Sequence, residues 1–205
     1  MIDTLLKKTA QFFSFVFNPF LMPTMGFLIV YFNMPGVELY TPKMRNILTG
    51  IVFVSTFVLP MFFVILMAAS KRINYNMMHH RERLLPYIFS AFSILLGAQL
   101  MGKLPVPNVY KLFMLASCLI LILLFFITMK WKISGHASGM GGFTALIIAV
   151  SLKYGIDLTV FIIAAIIASG LVSSSRLYLK KHNPAQVYAG LGISSVLMFL
   201  IIYFL

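Results

Sequence analysis

The sequence predicts an all-α membrane protein, a polytopic bundle of six to seven transmembrane helices preceded by an N-terminal interfacial helix. Three observations carry that expectation. Of 205 residues, 61% are hydrophobic and only 10% are charged, and the mean hydropathy is +1.00, well outside the range of soluble domains. Several apolar runs reach the ~20 residues needed to cross a hydrocarbon core about 30 Å thick. The stretches between them are too short to hold a soluble domain. Two units follow: an interfacial helix over 1–17 and a transmembrane domain over 18–205.

Residues 1–16, MIDTLLKKTAQFFSFV, place Ile2, Leu5, Leu6, Phe12, Phe13 and Val16 near helical spacing, with Asp3, Lys7, Lys8 and Gln11 opposite. That pattern fits a helix lying in the membrane interface. Asn18 to Phe32 is a first span, irregular at its start because Pro19 and Pro23 each remove a backbone donor. The turn-forming NMPGVELYTPK leads to a second span, Ile47 to Ala69, interrupted by Pro60. The basic segment KRINYNMMHHRER precedes a third span, Leu84 to Met101, and the turn GKLPVP returns the chain into a fourth, Val109 to Met129. Lys130, Trp131 and Lys132 then mark an interface. SGHASGMGG opens a fifth span ending near Leu152, the turn KYGID leads to a sixth, Leu158 to Ser174, and a seventh covers Val187 to Leu205. Internal segments are expected to direct insertion, because the N-terminus lacks the compact apolar core and small-residue cleavage site of a signal peptide. Cys118 reads as a small core residue.

The three polar segments 70–83, 130–139 and 175–186 follow spans two, four and six, so they share one membrane face. All four histidines, His79, His80, His136 and His182, lie in them. A composite polar site on that face is the favoured reading. The net charge of +12 clusters at the ends of apolar runs, which suits snorkelling to lipid phosphates or an anion site rather than a nucleic-acid partner.

In SRLYLKKHNPAQ, Ser175 to Gln186, Asn183 and Pro184 read as the N-cap and first residue of the last helix. Free N–H groups and the positive end of the helix dipole favour an anion there, and Arg176 adds a fork suited to phosphate. The alternative is a basic loop that binds lipid head groups without chemistry. Ser134 is placed to cap the helix that follows it, Gly135 lets backbone approach an oxyanion, and His136 can move a proton. Gly139, Gly141 and Gly142 are read first as close helix-packing positions. Arg81 and Arg83 either enter the site or snorkel. A metal centre built from the histidines is disfavoured, since Glu82 is the only nearby carboxylate and no Cys lies on that face.

These residues resemble the type 2 phosphatidic acid phosphatases, membrane lipid phosphatases related to vanadium haloperoxidases. The family carries three signatures: Lys, six residues, Arg-Pro; Pro-Ser-Gly-His; and Ser-Arg, five residues, His, three residues, Asp. The third is matched here at Ser175, Arg176 and His182, and the second at Ser134, Gly135 and His136, in the same order, so the resemblance covers roughly residues 70–190. It implies a phosphatase-like helical core, no cofactor, and metal-independent phosphoryl transfer on a membrane lipid bearing a phosphate or diphosphate. By the same resemblance His182 would be the nucleophile, forming a phosphohistidine, and His136 the acid for the leaving group. Arg176, Arg83 or Arg81, and the backbone at Ser134 and Gly135 would hold the phosphate.

The chain departs from the pattern at four places. Ile133 stands for the Pro before Ser134, two leucines separate Arg83 from Pro86, and Asn76 stands where Lys is expected. Gln186 replaces the Asp that would orient the nucleophilic imidazole and stabilise its charge. Gln186 also sits three residues after Asn183, where a Gln completes a capping box. A lipid phosphatase is therefore the first expectation, and a weak or inactive relative that binds anionic head groups the second.

The multi-pass chain would lie in the inner membrane if bacterial. Eleven of the sixteen basic residues (Lys7, Lys8, Lys71, Arg72, Arg81, Arg83, Lys130, Lys132, Arg176, Lys180 and Lys181) fall on the motif face, against Lys43, Arg45, Lys103, Lys111 and Lys153 on the other. The positive-inside rule points that face to the cytoplasm, whereas the resembled family often works on the outer face.

Overall fold

The computed structural model describes residues 2–71 and 79–205, leaving out the side chains of Ile2 and His80. Arg72 and Asn76, which enter the reading of the first polar segment, lie outside the described residues. Among the described residues all regular structure is helical, as hydrocarbon requires of a chain that must satisfy its own backbone.

Among the described residues six helical stretches are long and apolar enough to cross a membrane. The first, Pro42–Ala69, consists of α3 (Pro42–Phe53), a π-helical turn (Val54–Val58) and α4 (Leu59–Ala69). The others are α5 (Leu84–Met101), α6 (Asn108–Thr128), α7 (Gly135–Tyr154), α8 (Thr159–Tyr178) and α9 (Pro184–Phe204). Before them come α1 (Ile2–Val16) and α2 (Met22–Asn33).

The expected first span is much shorter as a helix. Residues 18–21 form a turn closed by Leu21 N–H donating to the Asn18 carbonyl, and α2 has 12 residues, ~18 Å at 1.5 Å per residue. A sequestered position makes that length sufficient, since Met22, Phe27, Val30 and Tyr31 are buried inside the bundle. One end is pinned by the Thr24–Thr56 hydroxyl pair at 2.8 Å. At the other, Tyr31 packs its ring against Tyr40 and Tyr110.

Pro60 shifts the second span's hydrogen bonding without ending the helix. Having no N–H, it cannot continue the i to i−4 ladder. The preceding turn widens, so that Leu59 N–H donates to the carbonyl of Val54, which leaves the Ser55 carbonyl for another donor. The Ser93 hydroxyl from α5 donates to it at 2.8 Å.

α7 lies innermost, against α2, α8 and α9. Two glycines set the α7–α9 seam. A Cβ on Gly141 would collide with the Leu191 carbonyl, and one on Gly190 would lie 2.7 Å from the Ser134 carbonyl. Gly139 likewise lets Pro19 approach α7. The packing reading of Gly139 and Gly141 therefore describes their surroundings, while Gly142 meets only ordinary contacts.

α1 packs along the last turns of α8, where the Tyr178 hydroxyl donates to the Asp3 carbonyl at 3.4 Å. Leu5, Phe12 and Phe15 on its outer side are exposed, as suits a helix with one face toward lipid.

Candidate functional site

The stretch from Arg176 to Gln186 is built from a helix end followed at once by a helix start. α8 runs on through Ser175 and Arg176 to Tyr178, four residues beyond the expected end at Ser174. It then closes in a Schellman turn, with Lys180 N–H donating to the Leu177 carbonyl and Lys181 N–H to the Arg176 carbonyl. Lys180 occupies the left-handed position at φ 51°. Two residues later Asn183 caps α9, its side-chain oxygen accepting from Gln186 N–H at 2.9 Å. This compact reversal returns His182 beneath the end of α8, where it is only 7% exposed.

Each nitrogen of the His182 ring has a partner. Nδ1 lies 3.0 Å from Gln186 Oε1, and because a side-chain carbonyl only accepts, Nδ1 carries the proton. Nε2 lies 3.3 Å from Arg83 Nη1, a guanidinium that only donates, so Nε2 offers its lone pair. Burial first, then the charge of Arg83, lowers the His182 pKa to about 4. The imidazole is therefore neutral at pH 7, with its free electron pair on Nε2. Gln186 Oε1 also accepts from Asn183 N–H at 3.3 Å, so one oxygen both orients the ring and completes the capping box.

The second motif joins the third through backbone. Ser134 N–H donates to the Gln186 carbonyl at 3.2 Å, which ties the starts of α7 and α9 together. Ser134 Oγ caps α7 by accepting from Ala137 N–H at 3.4 Å, and Ser134 is fully buried. Its N–H therefore points into the seam and is not available to a phosphate. Gly135 sits against the Tyr87 hydroxyl, which lies 2.9 Å from where its Cβ would be. His136 Nε2–H donates to the Ser14 carbonyl at 3.1 Å, so the end of α1 roofs this part of the site.

Arg83, at the end of the 3-10 turn that leads into α5, also donates to the Ile133 carbonyl at 3.2 Å and hydrogen-bonds Tyr87. Arg81 and His79, by contrast, are exposed and do not line the site.

Beside these groups a cavity of about 360 Å3 opens into the bundle, within the size range of small-ligand sites. Arg83, Tyr87, Gly135, His136, Arg176 and Lys181 form its polar end, and among the described residues no Asp or Glu lines it. Deeper in, the wall is mostly apolar, with Thr56, Ser90, Ser117 and Ser138 among its aliphatic and aromatic residues. Arg176 is only 9% exposed, and its Nε has no hydrogen-bond partner among the described residues. Lys132 stands close enough that burial and then Arg83, Lys181 and Arg176 lower its pKa. Glu82 opposes that lowering from outside the wall, and a buried guanidinium such as Arg176 is costly without a counter-charge.

His182 and Gln186 are not part of the cavity wall; Arg83 lies between His182 and the space. Sequence reasoning counted Lys181 only as a basic residue of the face and missed Tyr87 altogether. The four-residue spacing from Arg83 to Tyr87, which puts both on one side of a helix, was the available signal. Nothing in the sequence indicated the Ser14 carbonyl. Comparisons with family models, characterised proteins and solved structures find no match to this chain.

Proposed function

We propose that the protein is an integral-membrane phosphatase of lipid phosphates or diphosphates that works through a phosphohistidine on His182. The observation that carries this reading is a neutral, oriented imidazole beside the cation-lined end of a largely apolar cavity, an end with no carboxylate among the described residues that line it. That combination suits an amphiphile with a phosphorylated head. Arg83 would turn from Nε2 to the incoming phosphate, as a guanidinium fork is shaped to do. Nε2 then bonds to phosphorus while the bond from phosphorus to the lipid oxygen breaks. On this reading His136, acting as the acid, gives a proton to the leaving oxygen. In the second step water attacks phosphorus, the P–N bond breaks, His136 takes the proton, and phosphate departs. Arg176, Lys181 and Arg83 would stabilise the charge of both transition states.

The test is phosphate release by purified protein from phosphatidate, phosphatidylglycerol phosphate and polyprenyl diphosphate. Release from at least one, abolished in His182→Ala, is expected. Release from none, or release indifferent to His182→Ala, overturns the reading.

Gln186 favours a second reading. Its neutral oxygen orients His182 but cannot offset the positive charge that the ring acquires as a phosphohistidine. A weak or inactive binder of anionic head groups would bind the same lipids with dependence on Arg176 and release no phosphate.

A further inference from the structure

The cavity records the shape of its ligand's tail as well as the charge of its head. On α7 the lining runs from Gly135 to Leu146, eleven residues or ~16 Å along the helix axis. On α5 it runs from Tyr87 through Ser90 to Ile94, positions that share one helix face. α6 follows α5 back toward the motif face, and it contributes Leu124 at its far end and Phe113 near its start. Ile94, Phe113 and Leu146, all buried, therefore lie toward the end of the lining away from the cations, where Thr56 also enters it beside the Ser93–Ser55 bond.

Behind two of them lies a second crevice. It is bounded by Phe113 and Leu146 on one side and by Phe27, Val30, Val109 and Tyr110 on the other, and it is too small to admit a water molecule. Phe113 and Leu146 thus form a partition one side chain thick. Leu146 is held in place by α2, because its Cδ2 lies 2.9 Å from where a Cβ on Gly26 would sit.

We infer that this cavity takes one hydrocarbon chain end-on, phosphate at Arg83 and Arg176, and that Phe113 and Leu146 limit the length of chain it holds. The inference rests on the reading of the polar end as a phosphate site. A volume of about 360 Å3 corresponds to about twelve groups of methylene or water size at ~30 Å3 each. The head group included, that is room for a single chain of about eight to ten carbons. Each methylene that enters raises affinity about fourfold, the equivalent of ~0.8 kcal/mol. A methylene beyond the floor gains nothing, or is repelled.

The probe is a series of straight-chain alkyl phosphonates, which cannot be hydrolysed, from four to sixteen carbons. Their binding to detergent-solubilised full-length protein is measured by calorimetry. For the wild type the expected result is a steady rise in affinity that breaks at about eight to ten carbons. Phe113→Ala and Leu146→Ala should move the break to chains longer by about two to three carbons, and Leu146→Phe should move it to shorter ones. Affinity for the four-carbon probe should stay within about twofold in all three, which also shows that they fold. A rise without a break, or a break that no variant moves, overturns the inference while leaving the phosphatase reading standing. A moving break in a protein that releases phosphate from no lipid supports the inference and removes the phosphatase reading. No binding of any phosphonate removes both.

Discussion

At the scale of single residues the site depends on one neutral ring and one buried cation, and the two make opposite predictions. His182 has a pKa of about 4 in the folded protein, against ~6.5 for an unperturbed imidazole. On the proposed reading the nucleophilic form is retained well into acid, and the acid limb of kcat/KM for a lipid phosphate should lie near 4, not near 6.5. Between those values the unfolded chain binds a proton that the folded one does not, so His182's contribution to stability is lost as pH falls from about 6.5 toward 4. Gln186→Asp places a carboxylate against Nδ1, which should raise the ring's pKa, shift the acid limb upward and speed turnover. Loss of a comparable carboxylate costs about 10⁴ in a serine protease triad, an upper bound for the gain. A wild-type acid limb at 6.5 would contradict the assignment. Arg176, buried with Nε unpartnered, destabilises the empty protein. Arg176→Ala should therefore raise the melting temperature while weakening phosphonate affinity about 10- to 100-fold, since a hydrogen bond to a charged group contributes about 1.5–3 kcal/mol. If both quantities fall, the arginine is structural.

At the scale of elements, the α7–α9 seam sets the distance between the two motifs. Replacing a helical glycine by alanine ordinarily stabilises by roughly 0.5–1 kcal/mol. Gly192, with nothing near its would-be Cβ, should follow that rule. Gly141 faces the Leu191 backbone, which cannot yield as a side-chain tip can, so Gly141→Ala should cost about 1–3 kcal/mol through overpacking. It should also lower turnover, because Ser134 and Gln186 are joined across the same seam. Thermal unfolding of the two variants in parallel separates seam geometry from helix propensity; equal shifts would mean that the seam tolerates a methyl.

At the scale of the whole molecule, alternation of the six long helices places residues 79–83, 130–139 and 175–186 at one end of the bundle. The bonds from Arg83 to Ile133 and His182 join all three there. Cysteines introduced at Lys130 and Asn183, in a Cys118→Ala background, should react with an impermeant thiol reagent from one side of the membrane. Cysteines at Lys103 and Gly155 should react from the other. A mixed pattern would break the composite site.

The helical class, the turns and the Gln186 partner of His182 were legible in the sequence because they depend on local rules. Apolar runs long enough for a bilayer must be helices, Asn183-Pro184 starts one, and Gln186 is within reach of both Asn183 and His182. The helix ends were less legible. α8 keeps Arg176 within its last turn because its carbonyls are satisfied by a Schellman turn that needs no glycine. α2 is short because the bundle encloses it and the bilayer does not set its length. Choosing Arg83 over Arg81 required the tertiary structure, since both arginines satisfy the same local pattern and only packing decides which points inward. The cavity, its roof at Ser14 and its floor at Phe113 and Leu146 were decided there as well. They lie where helices distant in sequence fail to fill the space between them, and a gap between side chains leaves no periodicity in the chain that forms it.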